Sequence, residues 1–182
     1  LSTSALFIFD ISKRELINIY ELTDGKKHFL NDLAISSANE IFITDTEQNR
    51  IYKVNYPNGR IEEYYSSNTE INGPNGIAIS DDNSKLYVAT WKNGLRIIDI
   101  AKRELVNKSS PETMGIDGIK YYEKKIYAIK NGDRNPSNHA LIFISLTGDE
   151  TEIKNIDTIL IGHPMMNIPT TLDIENGYIY VV

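Results

Sequence analysis

Short apolar segments recur along this chain, and the turns between them recur as well. Four of these segments begin 44, 42 and 53 positions apart, at residues 31–35, 75–79, 117–121 and 170–174. The second segment follows the turn 73–76, whose two glycines favour positive φ. Each segment is too short for a helix and is bounded by turn residues, which is typical of a buried strand. We therefore predict one innermost β-strand in each copy of the repeat.

Three further strands are predicted in each copy. The second strands are predicted at 41–44, 86–89, 126–129 and 179–182, the third at 5–11, 50–56, 95–100 and 140–146, and the fourth at 15–20, 61–65, 104–107 and 151–156. Asn-Gly and Gly-Asp pairs between the later strands suit short antiparallel hairpins. No helix is predicted. Units of four antiparallel strands that recur at this period predict an all-β fold, a β-propeller, with an evenly spaced β-sandwich as the alternative.

The phase of the repeat predicts how this single propeller domain, 1–182, is divided. The chain begins at a third strand and ends after a second strand, so the predicted units are a half blade at 1–22, blades at about 28–66, 72–109 and 114–157, and a half blade at 167–182. A propeller hides its strand edges by closing into a ring. We therefore expect this segment to belong to a longer ring. A four-bladed ring that joins the two half blades is the alternative.

Composition excludes several classes of protein. The net charge of -6 disfavours a nucleic-acid partner, which would require clustered Lys and Arg. Without cysteine there is no disulfide, thiolate nucleophile or zinc-thiolate site. No apolar run is long enough to predict a membrane span. The chain begins with Leu1 rather than Met, so we expect its natural N-terminus to lie upstream. Compartment and oligomeric state are not predicted.

Three polar residues share one phase of the repeat. Asn31, Asn75 and Asp117 are the first residues of three predicted innermost strands. Equivalent positions of successive blades converge at one mouth of the axial channel. Amide and carboxylate oxygens there would suit a hard divalent cation such as Ca²⁺, Mg²⁺ or Mn²⁺ better than Zn²⁺. The alternative is that these residues cap strand starts through side-chain bonds to the backbone.

The same residues carry a resemblance to a known family. The segments Phe-Leu-Asn-Asp, Gly-Pro-Asn-Gly-Ile-Ala with Leu-Tyr-Val-Ala, and Ile-Asp-Gly resemble motifs of the senescence marker protein / gluconolactonase (regucalcin-like) family, here at 29–32, 73–78, 86–89 and 116–118. The resemblance implies a six-bladed propeller with one divalent metal on its axis, held by a Glu, two Asn and an Asp. It assigns the two Asn to Asn31 and Asn75 and the Asp to Asp117, with the Glu upstream of Leu1. Residues 43–53 resemble an NHL repeat equally well.

These observations predict a metal-dependent hydrolase that acts on a small-molecule lactone or similar ester. The cation would polarise the carbonyl, and Asp117 or a metal-activated water would begin the attack. Sugar-lactone members often carry an Arg where this chain has Phe29, so we expect a less anionic substrate. The alternatives are a non-catalytic, NHL-like module that binds a ligand or protein, and, ranked below it, a metal-free enzyme resembling strictosidine synthase.

Two histidines are further candidates near the mouth, whereas the one tryptophan is not. His28 and His163 precede innermost strands and could bind substrate or act as general base, or they could be ordinary loop histidines. Trp91 follows the second strand of its blade and is predicted to pack in the core or between blades.

Overall fold

The computed structural model describes residues 3–133 and 135–182. Within them the chain forms sixteen strands and two short 3-10 helices, Pro111–Thr113 and Pro136–Asn138. The strands are β1 (Ser4–Asp10), β2 (Glu15–Leu22), β3 (Leu30–Ile35), β4 (Glu40–Asp45), β5 (Arg50–Asn55), β6 (Glu62–Ser66), β7 (Pro74–Ile79), β8 (Lys85–Thr90), β9 (Gly94–Asp99), β10 (Glu104–Leu105), β11 (Ile116–Tyr122), β12 (Lys125–Lys130), β13 (Ala140–Leu146), β14 (Ile153–Ile161), β15 (Leu172–Glu175) and β16 (Tyr178–Val181). Each predicted strand is present.

The strands form antiparallel sheets in chain order. In the described residues, β3 to β6, β7 to β10 and β11 to β14 form three four-stranded sheets, here called blades 1, 2 and 3. The pairs β1–β2 and β15–β16 each form a two-stranded sheet. The innermost strands β3, β7, β11 and β15 contact one another in succession, so the sheets stand side by side around one line. This confirms the predicted all-β propeller. No helix of the described residues is long and apolar enough to cross a membrane.

The core lies between the blades, which explains the apolar runs in the sequence. Successive side chains of a strand point to opposite faces. In β8, Leu86 and Val88 therefore pack against blade 1, while Tyr87 and Ala89 pack against blade 3. All four are fully buried. A strand buried on both faces has no need of alternating polar residues, so a short continuous apolar run marks it.

Two outer strands differ from their predictions. β10 was expected at 104–107 but ends at Leu105, because the Asn107 side chain replaces the backbone as the partner of β9. Its Oδ1 accepts from the Ile97 amide at 2.7 Å and its Nδ2 donates to the Leu95 carbonyl at 2.9 Å. β14 was expected at 151–156 but continues to Ile161, since it pairs with β13 as far as Ala140.

Candidate functional site

Each innermost strand of blades 1, 2 and 3 has a β-bulge near its first residue. The pairing with the second strand is interrupted between Leu30 and Leu33 in β3, between Pro74 and Ile77 in β7, and between Ile116 and Ile119 in β11. At each bulge two residues oppose one, which redirects the side chains there. The predicted metal ligands Asn31, Asn75 and Asp117 are the first residues of the three bulges. They therefore occupy equivalent positions on neighbouring blades.

A hydroxyl group fixes the orientation of the Asn31 amide. The Thr46 hydroxyl donates its proton to the Pro74 carbonyl at 2.6 Å, so it can only accept from Asn31. The Asn31 group within 3.0 Å of Thr46 is accordingly Nδ2. Its Oδ1 is the amide atom turned away from this contact. The same hydroxyl connects Asn31 to the residue that immediately precedes Asn75.

The other two predicted ligands influence each other across the junction of blades 2 and 3, because the Asn75 amide lowers the pKa of Asp117. Asn131 donates to Asp117, from Nδ2 to Oδ2 at 2.6 Å, and to the Pro169 carbonyl at 2.7 Å. Burial raises the pKa of Asp117 and the charge of Asp32 raises it further, while the two amide donors oppose the shift. A partly buried carboxylate thus lies in the field of a second one.

Two residues that were not predicted from the sequence hold the predicted metal ligands in place. Thr46 and Asn131 each directly follow the second strand of their blade and bind both a predicted ligand and the next blade. Their shared phase in the repeat was the available signal. Among the described residues, no group of three His, Cys, Asp or Glu side chains could hold a metal. A cation site here would therefore depend on the amide oxygens, and the metal-binding role remains a prediction.

His28 lies beside the mouth and is engaged on both ring nitrogens. Nδ1 is 2.6 Å from Asp45 Oδ2, Nε2 is 2.7 Å from Asp24 Oδ1, and the side chain is 1% exposed. Burial lowers the pKa of His28, but the hydrogen bonds to Asp24 and Asp45 outweigh it and the net pKa is raised. The imidazole thus holds the 24–28 connection onto the end of β4. A substrate would have to displace one of these carboxylates to reach it.

The raised pKa of His28 predicts how stability depends on pH. Its stabilising contribution is fully present below its ordinary pKa of about 6.5 and is lost as pH rises through the raised folded value. In urea unfolding at increasing pH, we expect the wild-type protein to lose its advantage over the His28→Gln variant. His163→Gln, which changes an exposed histidine, is the control and should keep the wild-type pH dependence. Parallel curves for wild type and His28→Gln would contradict the prediction.

The remaining candidate side chains lie on the same end of the blades as the bulges. Phe29 is 54% exposed, and its amide donates to Asp45. His163 is exposed in the connection between β14 and β15, and its Nδ1 accepts from the Met165 amide. The described contacts do not bring His163 to the three predicted ligands. The prediction that Trp91 packs in the core or between blades was wrong, because its side chain is 51% exposed.

Comparison with known proteins supports the propeller fold. The LVIVD repeat, a β-propeller-type repeat, matches residues 76–116. No curated protein matches the sequence. Similar solved structures include virginiamycin B lyase from Staphylococcus aureus, with a TM-score of 0.72 and 18% identity over 97% of this chain and 55% of that one. A streptogramin B lyase gives a TM-score of 0.65 and 20% identity over 90% of this chain and 51% of that one.

A third similar structure is a nidogen/laminin complex, with a TM-score of 0.67 and 13% identity over 94% of this chain and 65% of that one. This chain therefore spans about half the length of the two lyase chains and 65% of the third. At such identities the likeness is one of fold. The comparisons support a β-propeller family in general, and membership of the senescence marker protein / gluconolactonase family stays a prediction.

Proposed function

We propose that the protein is a divalent-metal-dependent hydrolase of a lactone or similar ester, with Asn31, Asn75 and Asp117 as protein ligands of the metal. The observation that carries the proposal is the bulge repeated in three neighbouring inner strands. It places amide, amide and carboxylate side chains at equivalent positions around one end of the blades. A residue that merely capped a strand start would not need the same bulge in each blade.

The side chains at this site fit a hard cation. Thr46 orients Asn31 so that the amide oxygen, the atom that a hard cation prefers, is turned away from the hydroxyl. Asp117 supplies a carboxylate, and the nearby charge of Asp32 disfavours its ionised form. A bound cation would relieve that repulsion. Ca²⁺ suits the flexible mixture of amide and carboxylate oxygens best, with Mg²⁺, Mn²⁺ and Zn²⁺ as the other ions to test.

The residues of the chain have distinct roles in this proposal. A bound cation would supply Lewis-acid polarisation of the ester carbonyl. Asp117 is the carboxylate among the three predicted ligands, and it would accept a proton from the attacking water. Asn131 and Thr46 are positioning residues, since each fixes the orientation of a predicted ligand and anchors it to the next blade.

The fold likeness to lyases suggests a competing reaction type that products can distinguish. One similar structure is a catalytically inactive histidine-to-alanine variant of virginiamycin B lyase with quinupristin. In this chain His28 and His139 have both ring nitrogens in described contacts. His163 has a described contact at Nδ1 only. His28 and His139 would therefore each have to give up a contact before acting as the base of an elimination. Hydrolysis would give a hydroxy acid, whereas elimination would give an unsaturated acid.

The direct test is a screen of neutral aliphatic, aromatic and sugar lactones with the intact protein, loaded separately with Ca²⁺, Mg²⁺, Mn²⁺ and Zn²⁺. We expect ring opening that a chelator abolishes and that re-addition of one ion restores. Phe29 leads us to expect faster turnover of neutral lactones than of anionic sugar-acid lactones. The control is the same screen on metal-loaded protein denatured and removed by filtration. Turnover that is unaffected by chelator would contradict the proposed role of the metal.

A second candidate function is an NHL-like binding module for a ligand or protein. It is favoured by the likeness of residues 43–53 to an NHL repeat and by the fold likeness to a chain of a nidogen/laminin complex. Tight metal binding without turnover of any ester or lactone would replace the hydrolase proposal with this one.

A further inference from the structure

Trp91 occupies the position of its blade that Thr46 and Asn131 occupy in the neighbouring blades. Each of the three directly follows a second strand, and their amides donate to the carbonyls of Phe29, Gly73 and Gly115 at 3.0, 2.9 and 3.0 Å, in the order Thr46, Trp91 and Asn131. Thr46 and Asn131 use this position to hold predicted metal ligands. The repeat therefore places an indole ring at a position that, in the neighbouring blades, lies next to a predicted metal ligand.

Two clefts meet at this tryptophan. The larger has a volume of about 880 Å³ and the smaller about 360 Å³, within the usual range of small-molecule sites for both. Trp91, Gly132 and Asp133 line both clefts. The smaller cleft is also lined by Asn131, whose amide binds the carboxylate of Asp117. The two clefts thus share three residues, and the smaller one borders Asn131, the hydrogen-bond partner of a predicted metal ligand.

The larger cleft exists because blade 2 has a short outer strand. β10 stops after two residues, and the side chains of Asn107 and Thr113 satisfy the edge of β9 instead, with Thr113 Oγ1 accepting from the Leu95 amide at 2.7 Å. β14 of blade 3 has nine residues. Because β10 is so much shorter than β14, blade 2 covers only part of the face that β14 turns toward it. The apolar side chains left along the cleft are Ala140, Ile142, Ile156 and Ile161.

The described charges at the rim of the larger cleft do not favour an anionic ligand. Backbone and side-chain hydrogen bonds from Asn135 and Asn138 lower the pKa of Asp133, so this carboxylate stays ionised at neutral pH. Glu112 is also acidic, and a backbone hydrogen bond lowers its pKa. Lys130 donates to the Glu112 carbonyl at 2.9 Å and is the described cation of the rim. Of the residues that the structure describes, two acidic side chains and one basic side chain thus lie at the rim, and together they give a ligand carboxylate no net attraction.

We propose that the clefts beside Trp91 bind the aromatic or bulky apolar part of a neutral ester. The carbonyl of that ester would lie at the predicted metal ligands Asn31, Asn75 and Asp117. This inference rests on the proposed hydrolase function and specifies its substrate class. Trp91 is half exposed and lines both clefts, so its indole ring is available for stacking. The aliphatic floor formed by β13 and β14 extends the contact beyond a single ring.

Tryptophan fluorescence provides a test that does not require turnover, because Trp91 is the single tryptophan of the chain. With chelator present and no metal added, we expect dihydrocoumarin to change the fluorescence of the intact protein in a saturable way. δ-Valerolactone, which has the same lactone ring without the arene, should bind on the order of ten-fold more weakly, which corresponds to about 1.4 kcal/mol of aromatic stacking. The anion hydrocinnamate should also bind more weakly than dihydrocoumarin. Equal binding of all three compounds, or no spectral change, would overturn the inference.

Variants extend the test to a second readout, ligand-observed NMR of dihydrocoumarin. Trp91→Ala should weaken binding roughly ten-fold and Trp91→Phe should retain most of it, because phenylalanine keeps a ring face. Tyr122→Ala, which removes an exposed aromatic ring outside the clefts, is the matched control and should bind as wild type. Wild-type binding by Trp91→Ala would overturn the inference. Saturable binding without turnover in the metal screen would count against the hydrolase function alone.

Discussion

Replacing Gly76 with alanine is expected to destabilise the protein by about 2 to 4 kcal/mol, through overpacking against backbone that cannot move aside. A Cβ at position 76 would lie 2.4 Å from the Asp117 carbonyl oxygen and 2.8 Å from the Ile119 amide nitrogen. Both atoms belong to the innermost strand of the next blade. To admit the methyl group, blades 2 and 3 would have to separate where their core is most completely buried.

Gly148→Ala is the matched control for this substitution. A Cβ there meets nothing within 4 Å, so its free energy of unfolding should change by less than about 0.5 kcal/mol. Urea unfolding measures both variants, and an unchanged m-value would show that the shift in midpoint reflects stability. A Gly76→Ala protein as stable as the Gly148→Ala protein would show that the inner strands are less closely packed than the structure indicates.

Gly76 also shows where sequence reasoning was limited. It was read as a turn glycine that favours positive φ, but the structure places only Gly73 of this turn in the left-handed region, at φ 67°. Gly76 is required by the approach of another strand that lies about forty residues away in sequence. Neighbouring residues in the sequence can predict that a turn requires positive φ. They cannot predict a contact with a distant strand, because that contact depends on how the blades pack.

The strands themselves were predictable because the core of this fold lies between sheets. Strands such as β8 are buried on both faces and appear as short apolar runs between turn residues. The outer strands were less predictable, since their ends depend on a partner rather than on their own composition. β10 ends because the Asn107 side chain takes over the hydrogen bonds to β9 that a longer strand would make through its backbone. β14 continues to Ile161 because β13 pairs with it as far as Ala140.

The sequence predicted which three residues share the bulged position of the inner strands, but not the residues that hold them in place. Asn31, Asn75 and Asp117 share a repeat phase that a single sequence displays. Thr46 and Asn131 share another phase, but Thr, Trp and Asn have no common chemistry that would draw attention to it. Only the common backbone bond of these three positions shows that Trp91 belongs with them.

Asp117→Asn is expected to weaken binding of Ca²⁺ by roughly 100-fold or more, because the number of charged ligands sets the affinity of such sites. The substitution keeps the size of the side chain and removes the one carboxylate among the three predicted ligands. Asn31→Ala and Asn75→Ala should weaken binding less, since each removes a neutral oxygen. Isothermal titration calorimetry with Ca²⁺ measures all three variants, and lactone turnover should fall in the same order.

A loss of one negative charge could weaken cation binding anywhere on an acidic protein, so the control must remove the same charge elsewhere. Asp81→Asn does this on an exposed turn at the opposite end of the blades from the bulges, and it should bind Ca²⁺ as the wild type does. Asp117→Asn can also disturb the hydrogen bond from Asn131, and urea unfolding of the metal-free variant would reveal this as a change in stability. If Asp117→Asn and Asp81→Asn bind Ca²⁺ equally, the bulged ends of the inner strands do not hold the metal, and Asp117 instead serves as the hydrogen-bond acceptor of Asn131 within blade 3.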